Sequence, residues 1–273
     1  MTKLVEKVLS YLFIGKWKWH DFLRYQNPII PSILKYMYLA SKVLNKKKYS
    51  YLLAFHRITY DKWAEREIVS NIQSISDWAR ESCSIIDTIN EERLFIRRTI
   101  IIKDVELNKE GFVKRKGIAI ITFTTTFPYA LKSNFIKRLL KEYIIVLEPS
   151  WSGYALPEIL AWITFDDKVI VQATEPKDYN FLRSLESNLI PVNFGASDWV
   201  DHRVFAPMPG MEKRYDSVLV GNCSYVKRIH VYLKAIKSIG QESYNGALVL
   251  GEWGQFYDRI ISLVEFYGLK NNI

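Results

Sequence analysis

Cysteine and histidine are scarce: Cys83, Cys223, His20, His56, His202 and His230 are all there are in 273 residues. Two cysteines this far apart cannot make a disulfide framework, so reduced thiols in a cytoplasmic setting are expected. No Cys/His spacing of a metal site occurs, and no metal is expected. Also missing is any apolar run of about eighteen residues; the longest candidates are broken by Pro28, Pro31, Lys35 or Pro157, which argues against a membrane-spanning helix. A signal-peptide pattern is lacking as well: Val8–Gly15 is short, and Lys16, Trp17, Lys18 and Trp19 follow it where small residues would be needed. There is no internal repeat and no low-complexity tract. With 49% hydrophobic and 25% charged residues, the chain has enough apolar material for a core, which excludes wholesale disorder.

Acidic residues are rare at one end. Residues 1–50 hold ten lysines and arginines against Glu6 and Asp21, a net +8 out of +9 for the whole chain. Such asymmetry predicts an N-terminal segment that meets something anionic, and argues against a uniformly basic nucleic-acid binder. The segment reads as aromatic-rich and helical, with Pro28 and Pro31 separating two helices. In the second, Ser32 to Leu44, the residues Ile33, Tyr36, Met37, Ala40, Val43 and Leu44 recur at three- and four-residue intervals, with Lys35 and Lys42 at the edge. Two readings stay open: a helix packed on a neighbouring domain, or one lying in the plane of an anionic membrane surface with Trp17, Trp19, Tyr36 and Tyr38 at the interface.

Residues 51–111 are mixed. Asp61–Ile75 and Ile75–Asn90 read as helices, Leu94–Ile102 as a strand, and Asn108–Gly111 as a turn. From Lys116 onward strands and helices alternate, the pattern of a parallel sheet with helical crossovers. Ile118–Phe123 (IAIITF) is a continuous β-branched run, expected to be buried on both faces. Strands follow at Tyr143–Leu147, Lys168–Gln172 and Leu189–Asn193, with helices at Asn134–Lys141, Pro157–Trp162 and Lys177–Leu185. After the bridge Pro207-Met-Pro-Gly210 a second unit reads as strand Tyr215–Val220, helix Lys227–Ile239, strand Gly246–Leu250 and helix Tyr257–Tyr267. Gly240 and Gly268 are its helix stops.

In open parallel sheets ligands gather beyond the carboxyl ends of the strands. The loops there begin at Thr124, Glu148, Ala173 and Phe194 and are rich in hydroxyls, carboxylates and rings. Thr125, Ser150, Trp151 and Asp198 are candidate polar or stacking contacts to a ligand on this rim. Glu148 and Glu175 are the candidate acid/base carboxylates; each could equally cap a helix or pair with a cation. In the second unit, Gly221 lets the backbone turn tightly, and the next helix aims free N–H groups at the space beyond. Lys227 and Arg228 stand at that helix start, the wrong sign for its dipole unless an anion sits there. Gly221, Asn222, Lys227 and Arg228 are therefore the candidate phosphate-binding set. No GxGxxG and no GxxxxGK[ST] occurs, which disfavours a dehydrogenase, an epimerase or a P-loop enzyme.

The segment Val200-Asp-His-Arg-Val-Phe-Ala-Pro207, then YDSVLVGN, Lys227 and HVYLKAI, resembles the GT-B glycosyltransferases, most of all family 4, the group 1 transferases. In that family a "VD…F.P" segment bridges two Rossmann-like domains, and a "VGR…K" element opens the donor domain, where its Arg and Lys contact the nucleotide-sugar diphosphate. Lys227 matches that Lys. Asn222 stands where the Arg is usual, and Arg228 is the nearest replacement charge. The resemblance covers roughly 116–273. It implies an α/β fold of two Rossmann-like domains with an N-terminal helical extension, and a C-terminal domain that is incomplete, since the family's glutamate pair seven residues apart is not found. The expected division is residues 1–50, basic and helical; 51–205, the acceptor domain; and 206–273, part of the donor domain. The expected activity is hexose transfer from a nucleotide-diphosphate sugar, as co-substrate and without a cofactor, to a saccharide or lipid-linked acceptor, in a cytoplasmic protein peripheral on the inner membrane face. A non-catalytic membrane-surface module on the same scaffold is the alternative.

Overall fold

The structure is a computed structural model that describes residues 3–21, 29–41, 47–84, 98–132, 136–150, 153–194, 198, 201–204, 206, 208–224, 227–240, 244–251 and 256–270. Its contacts divide the chain into two compact units, Pro28–Phe205 and the pairing of Met1–Asn27 with Ala206–Ile273. Residues 1–50, expected as one segment, are thus shared between both. The expected helices Asp61–Ile75 and Ile75–Asn90 also shift their joint, to Asn71.

The larger unit opens with α2 (Ile29–Ser41), α3 (Lys48–Thr59), α4 (Lys62–Ser70) and α5 (Ile72–Ser84). Asp61 starts α4 by accepting from the backbone N–H groups of Trp63 and Ala64, a side-chain N-cap that satisfies two otherwise orphaned donors. The strands follow: β1 (Thr99–Lys103), the hairpin β2 (Glu106–Leu107) with β3 (Val113–Arg115), then β4 (Gly117–Thr122), β5 (Tyr143–Glu148), β6 (Val169–Gln172) and β7 (Leu189–Val192). The hairpin turn is the expected Asn108–Gly111, with the Asn108 side chain accepting from the N–H groups of Glu110 and Phe112. In the main sheet the order is β1-β4-β5-β6-β7. β1 runs antiparallel to β4, and the other neighbours are parallel. Helices α6 (Phe127–Lys132), α7 (Ile136–Glu142), α8 (Pro157–Leu160) and α9 (Pro176–Ser184) lie between the parallel strands.

Strand order that steps steadily one way, with right-handed crossovers, puts every crossover helix on the same face. Accordingly Ala119, Ile121, Ile145, Leu147, Val169 and Val171 share one core with the buried residues of α3 to α9. The alternate residues do not. Ile118, Ile144, Ile170 and Ile190 face the other way, and all four keep some solvent exposure. Within IAIITF itself Ile120, on that other face, is buried at 7% exposure and Ile118 is half-buried, so the expectation of burial on both faces holds at the middle of β4, while Ile144 on β5 and Ile190 on β7 are exposed.

The smaller unit holds α1 (Lys3–Asp21), β8 (Ser217–Asn222), α10 (Ile229–Ile239), β9 (Gly246–Gly251) and α11 (Tyr257–Tyr267). β8 and β9 pair in parallel, as a strand–helix–strand unit must, and the Tyr232 hydroxyl on α10 reaches Ser217 and Ala247 on the two strands. Phe13 of α1 is buried with Leu233, Ile260 and Leu263, and Tyr11 meets Phe266 edge-on at 5.1 Å. That burial is why α1 belongs here. Val218, Val220 and Val249, on the opposite side of the two strands, are exposed.

Candidate functional site

The topology offers two places, one in each unit. In the larger unit the carboxyl ends of β4, β5 and β6 form one rim. Thr122 and Glu148 are register partners at the last positions of β4 and β5. The chain leaves β4 through Phe123, whose φ is +67°, and the Phe123 N–H donates to the Glu148 carbonyl at 2.7 Å. The Arg98 guanidinium lies 4.0 Å from the Phe123 ring centroid, a cation over a π face. The Glu148 carboxylate accepts from the Ser150 hydroxyl at 2.6 Å, and Ser150 has φ +64°. Two residues of the expected set are thus joined directly.

Behind them sits a buried polar cluster. Asp178, fully buried in the first turn of α9, accepts from the N–H of Gly153 and the N–H of Tyr154, both at 2.9 Å, and from the Tyr60 hydroxyl at 3.2 Å. Burial pushes its carboxyl above the ordinary range, while these three donors pull it back. The Tyr154 hydroxyl donates to the Gln172 carbonyl at the end of β6. Its pKa is raised, first by burial and then by the negative charges of Asp178, Glu148 and Glu175. Gly153 has φ +90°, and a Cβ there would collide with the Arg57 stem. His56 is 1% exposed, stacks on Phe181 at 4.4 Å, and neither of its ring nitrogens has a hydrogen-bond partner among the described residues. Burial lowers its pKa to about 4, so the ring is neutral at pH 7.

Thr125 is exposed in the 3-10 turn Thr124–Thr126 that follows β4, Glu175 is exposed at the N-cap of α9 without a side-chain capping bond, and Asp198 is exposed beyond β7. Trp151 lies outside the described residues. Asp178, Tyr60, Tyr154, His56, Arg57 and Arg98 escaped the sequence reading. Only Asp178 had a visible signal, an acid in a helix first turn after Glu-Pro-Lys, and that pattern is common enough to pass as a helix-start residue.

In the smaller unit the Asn222 side chain accepts from the N–H and hydroxyl of Ser224, closing a tight turn as β8 ends. Asn222 is thereby committed to its own loop. The chain returns through Lys227, whose N–H donates to the Ser224 carbonyl at 3.1 Å. Its side chain lies across Gly221: a Cβ on that glycine would stand 3.3 Å from Lys227 Cγ. Lys227 is exposed, and among the described residues its ammonium pairs with no carboxylate. The helix expected from Lys227 begins instead at Ile229, because Arg228 takes a left-handed conformation (φ +50°) as the N-cap, without a side-chain capping bond. Both cations therefore precede the first helical turn, and Arg228 is exposed. Comparison of the chain with protein-family models, with curated proteins and with solved structures finds no match.

Proposed function

We propose that the chain serves the transfer of a hexose from a nucleotide-diphosphate sugar to a saccharide or lipid-linked acceptor, in the manner of a GT-B glycosyltransferase. The observation that carries this reading is the Lys227 stem laid over Gly221 at the carboxyl end of β8, with an exposed ammonium that has no carboxylate partner among the described residues. An ammonium beside a helix start is unfavourable alone and favourable with a diphosphate between them. In the reaction the bond from the anomeric carbon to the diphosphate oxygen breaks, and Lys227, Arg228 and the N–H groups opening α10 stabilise the charge left on that oxygen. An acceptor hydroxyl oxygen then bonds to the anomeric carbon. Its proton leaves to a solvent base; within the larger unit Glu148, which accepts from the Ser150 hydroxyl, is the proposed carboxylate of the acceptor side. Glu175, Thr125, Ser150, Trp151 and Asp198 are the proposed acceptor side.

The test is a thermal-shift series with UDP, GDP and ADP sugars on the intact chain and on Lys227→Ala. One donor should raise the melting temperature of the parent and not of the variant. Indifference of the parent to all three overturns the reading.

A further inference from the structure

The last residues of β4, β5 and β6 make one polar row. Thr122 pairs with Glu148 in register, and Leu147 pairs with Val171, which sets Gln172 beside Glu148. Ile121, Leu147 and Val171 belong to the core shared with the crossover helices, so strand alternation turns Thr122, Glu148 and Gln172 to the opposite side of the sheet. The Thr122 hydroxyl donates to the Arg98 carbonyl and keeps its acceptor lone pairs. One Glu148 oxygen accepts from Ser150, and the other has no hydrogen bond among the described residues.

Gln172 is 4% exposed, yet its amide oxygen is buried without a partner, and its amide nitrogen has no hydrogen bond among the described residues. The main chain of the same residue is satisfied, since its carbonyl accepts from Tyr154. A buried amide left unpaired costs free energy that an apolar side chain of similar size would not. Its terminal torsion is broad, so the amide can rotate without moving the strand.

The row selects its ligand by chemistry. A carboxylate, an amide and a hydroxyl all offer acceptors. The negative charges of Asp178, Glu148 and Glu175 together raise the pKa of the Tyr154 phenol, so this end of the sheet disfavours a phosphate or carboxylate. Arg98 belongs to the far end of the row, on the Phe123 ring, three strands from Gln172. A metal ion would find a single carboxylate in the row. An uncharged donor fits best. Neighbouring strands stand about 4.8 Å apart, a spacing that hydroxyls on alternate carbons of a pyranose ring match.

We propose that Thr122, Glu148 and Gln172 form a subsite for a neutral saccharide, in which Gln172 turns its unpaired amide to one ring hydroxyl and Glu148 accepts from another. The inference rests on reading this rim as the acceptor side of the proposed transfer, and it narrows what is recognised there to sugar hydroxyls, against a lipid phosphate.

Saturation-transfer NMR on the whole chain, with methyl glucoside, methyl galactoside and methyl mannoside as probes, tests it. At least one should receive saturation on its ring protons, and Gln172→Met should weaken that binding about tenfold. The same substitution should raise the melting temperature by a few degrees, because methionine fills the volume and removes the unpaired amide. A residue that only supports the fold would do the reverse, so a Gln172→Met protein that melts below the parent overturns the proposal. So does a folded Gln172→Met protein that binds like the parent, or a parent that binds none of the three. Inorganic phosphate that displaces the hexoside would assign the row to an anion and overturns it as well. Should Gln172→Met fail to fold, Glu148→Gln, at a half-buried position, carries the test: about a tenfold loss is expected, and unchanged affinity overturns the site. None of these measurements involves Lys227. A rim that ignores all three hexosides leaves the donor series standing, and a hexoside bound by a chain that ignores every donor supports the subsite while the transfer reading falls.

Discussion

Tyr60 and Asp178 share a hydrogen bond of 3.2 Å across 118 positions of sequence. Tyr60 ends α3 in a left-handed conformation, and Asp178 stands in the first turn of α9, so the bond ties the helical layer to the sheet's crossover. The other oxygen of Asp178, with its neighbour, holds the backbone of Gly153 and Tyr154. The loop that carries Ser150 and leads from Glu148 is thus anchored at its far end by a buried carboxylate.

Asp178→Ala should be the most damaging single change in this rim. It leaves two buried N–H donors and one hydroxyl without acceptors, each worth about 1–3 kcal/mol. A loss of about 3–5 kcal/mol in urea unfolding is expected. Tyr60→Phe removes only one donor and should cost about 1 kcal/mol. Equal effects from both would show that the backbone of Gly153 and Tyr154 gains nothing from the carboxylate.

His56 supplies a pH dependence of determinate sign. Its ordinary pKa of 6.5 falls to about 4 in the fold, so the neutral ring is the folded form. The corresponding stability is fully present above pH 6.5 and is lost as pH falls towards 4, a change of about 3 kcal/mol. Asp178 acts in the opposite direction, since a raised carboxyl loses stability as pH climbs through its folded value. His56→Phe keeps a ring against Phe181 and removes the titration. The expected outcome is a flatter stability profile between pH 6.5 and 4, measured by denaturant unfolding at several pH values. An unchanged slope would sink the assignment to His56.

The elements that sequence reading located best are those with strong local punctuation. β5, β6 and α11 match their apolar runs within a residue or two, because Gly, Pro and charge bracket each of them. What stayed hidden depends on contacts between distant segments. Nothing local in Phe13 announces that α1 joins Leu233 and Ile260. Periodicity in α2 marked a face, but not that Tyr38 would turn inward and Tyr36 outward. Ile144 and Ile190 are exposed for a topological reason that no apolar run announces: one-way strand order leaves that side of the sheet without crossover helices. At the candidate site, Glu148 and Ser150 were legible because they sit just past a strand end, whereas Asp178 and Tyr60 become a pair only through folding.

Gly153→Ala should be costly for two separable reasons. The residue holds φ +90°, and its Cβ would enter the Arg57 stem. Left-handed strain of this kind is worth about 1–3 kcal/mol for a residue with a side chain. Adding Arg57→Ala removes the collision and leaves the strain. The double variant should therefore melt between the parent and Gly153→Ala alone. If Arg57→Ala brings no recovery, the close approach of Arg57 to Gly153 is not a constraint on the fold.

Gly221→Val separates stability from ligand binding in the smaller unit. Gly221 has no positive φ, so a β-branched residue is compatible with its place in β8 and is intrinsically favoured in a strand. The same Cβ, however, would press on Lys227 Cγ and Cδ, at 3.3 Å and 3.4 Å before any adjustment. A lysine stem yields easily, so the melting temperature should change by only a few degrees. Its ammonium would then leave the position beside the start of α10, and affinity for inorganic pyrophosphate, read by calorimetry, should fall about tenfold, close to the loss from Lys227→Ala. Unaltered pyrophosphate affinity in a folded Gly221→Val protein would mean that the stem lying over Gly221 does not set the position of the charge, and the phosphate-binding role would have to rest on Arg228 or be given up.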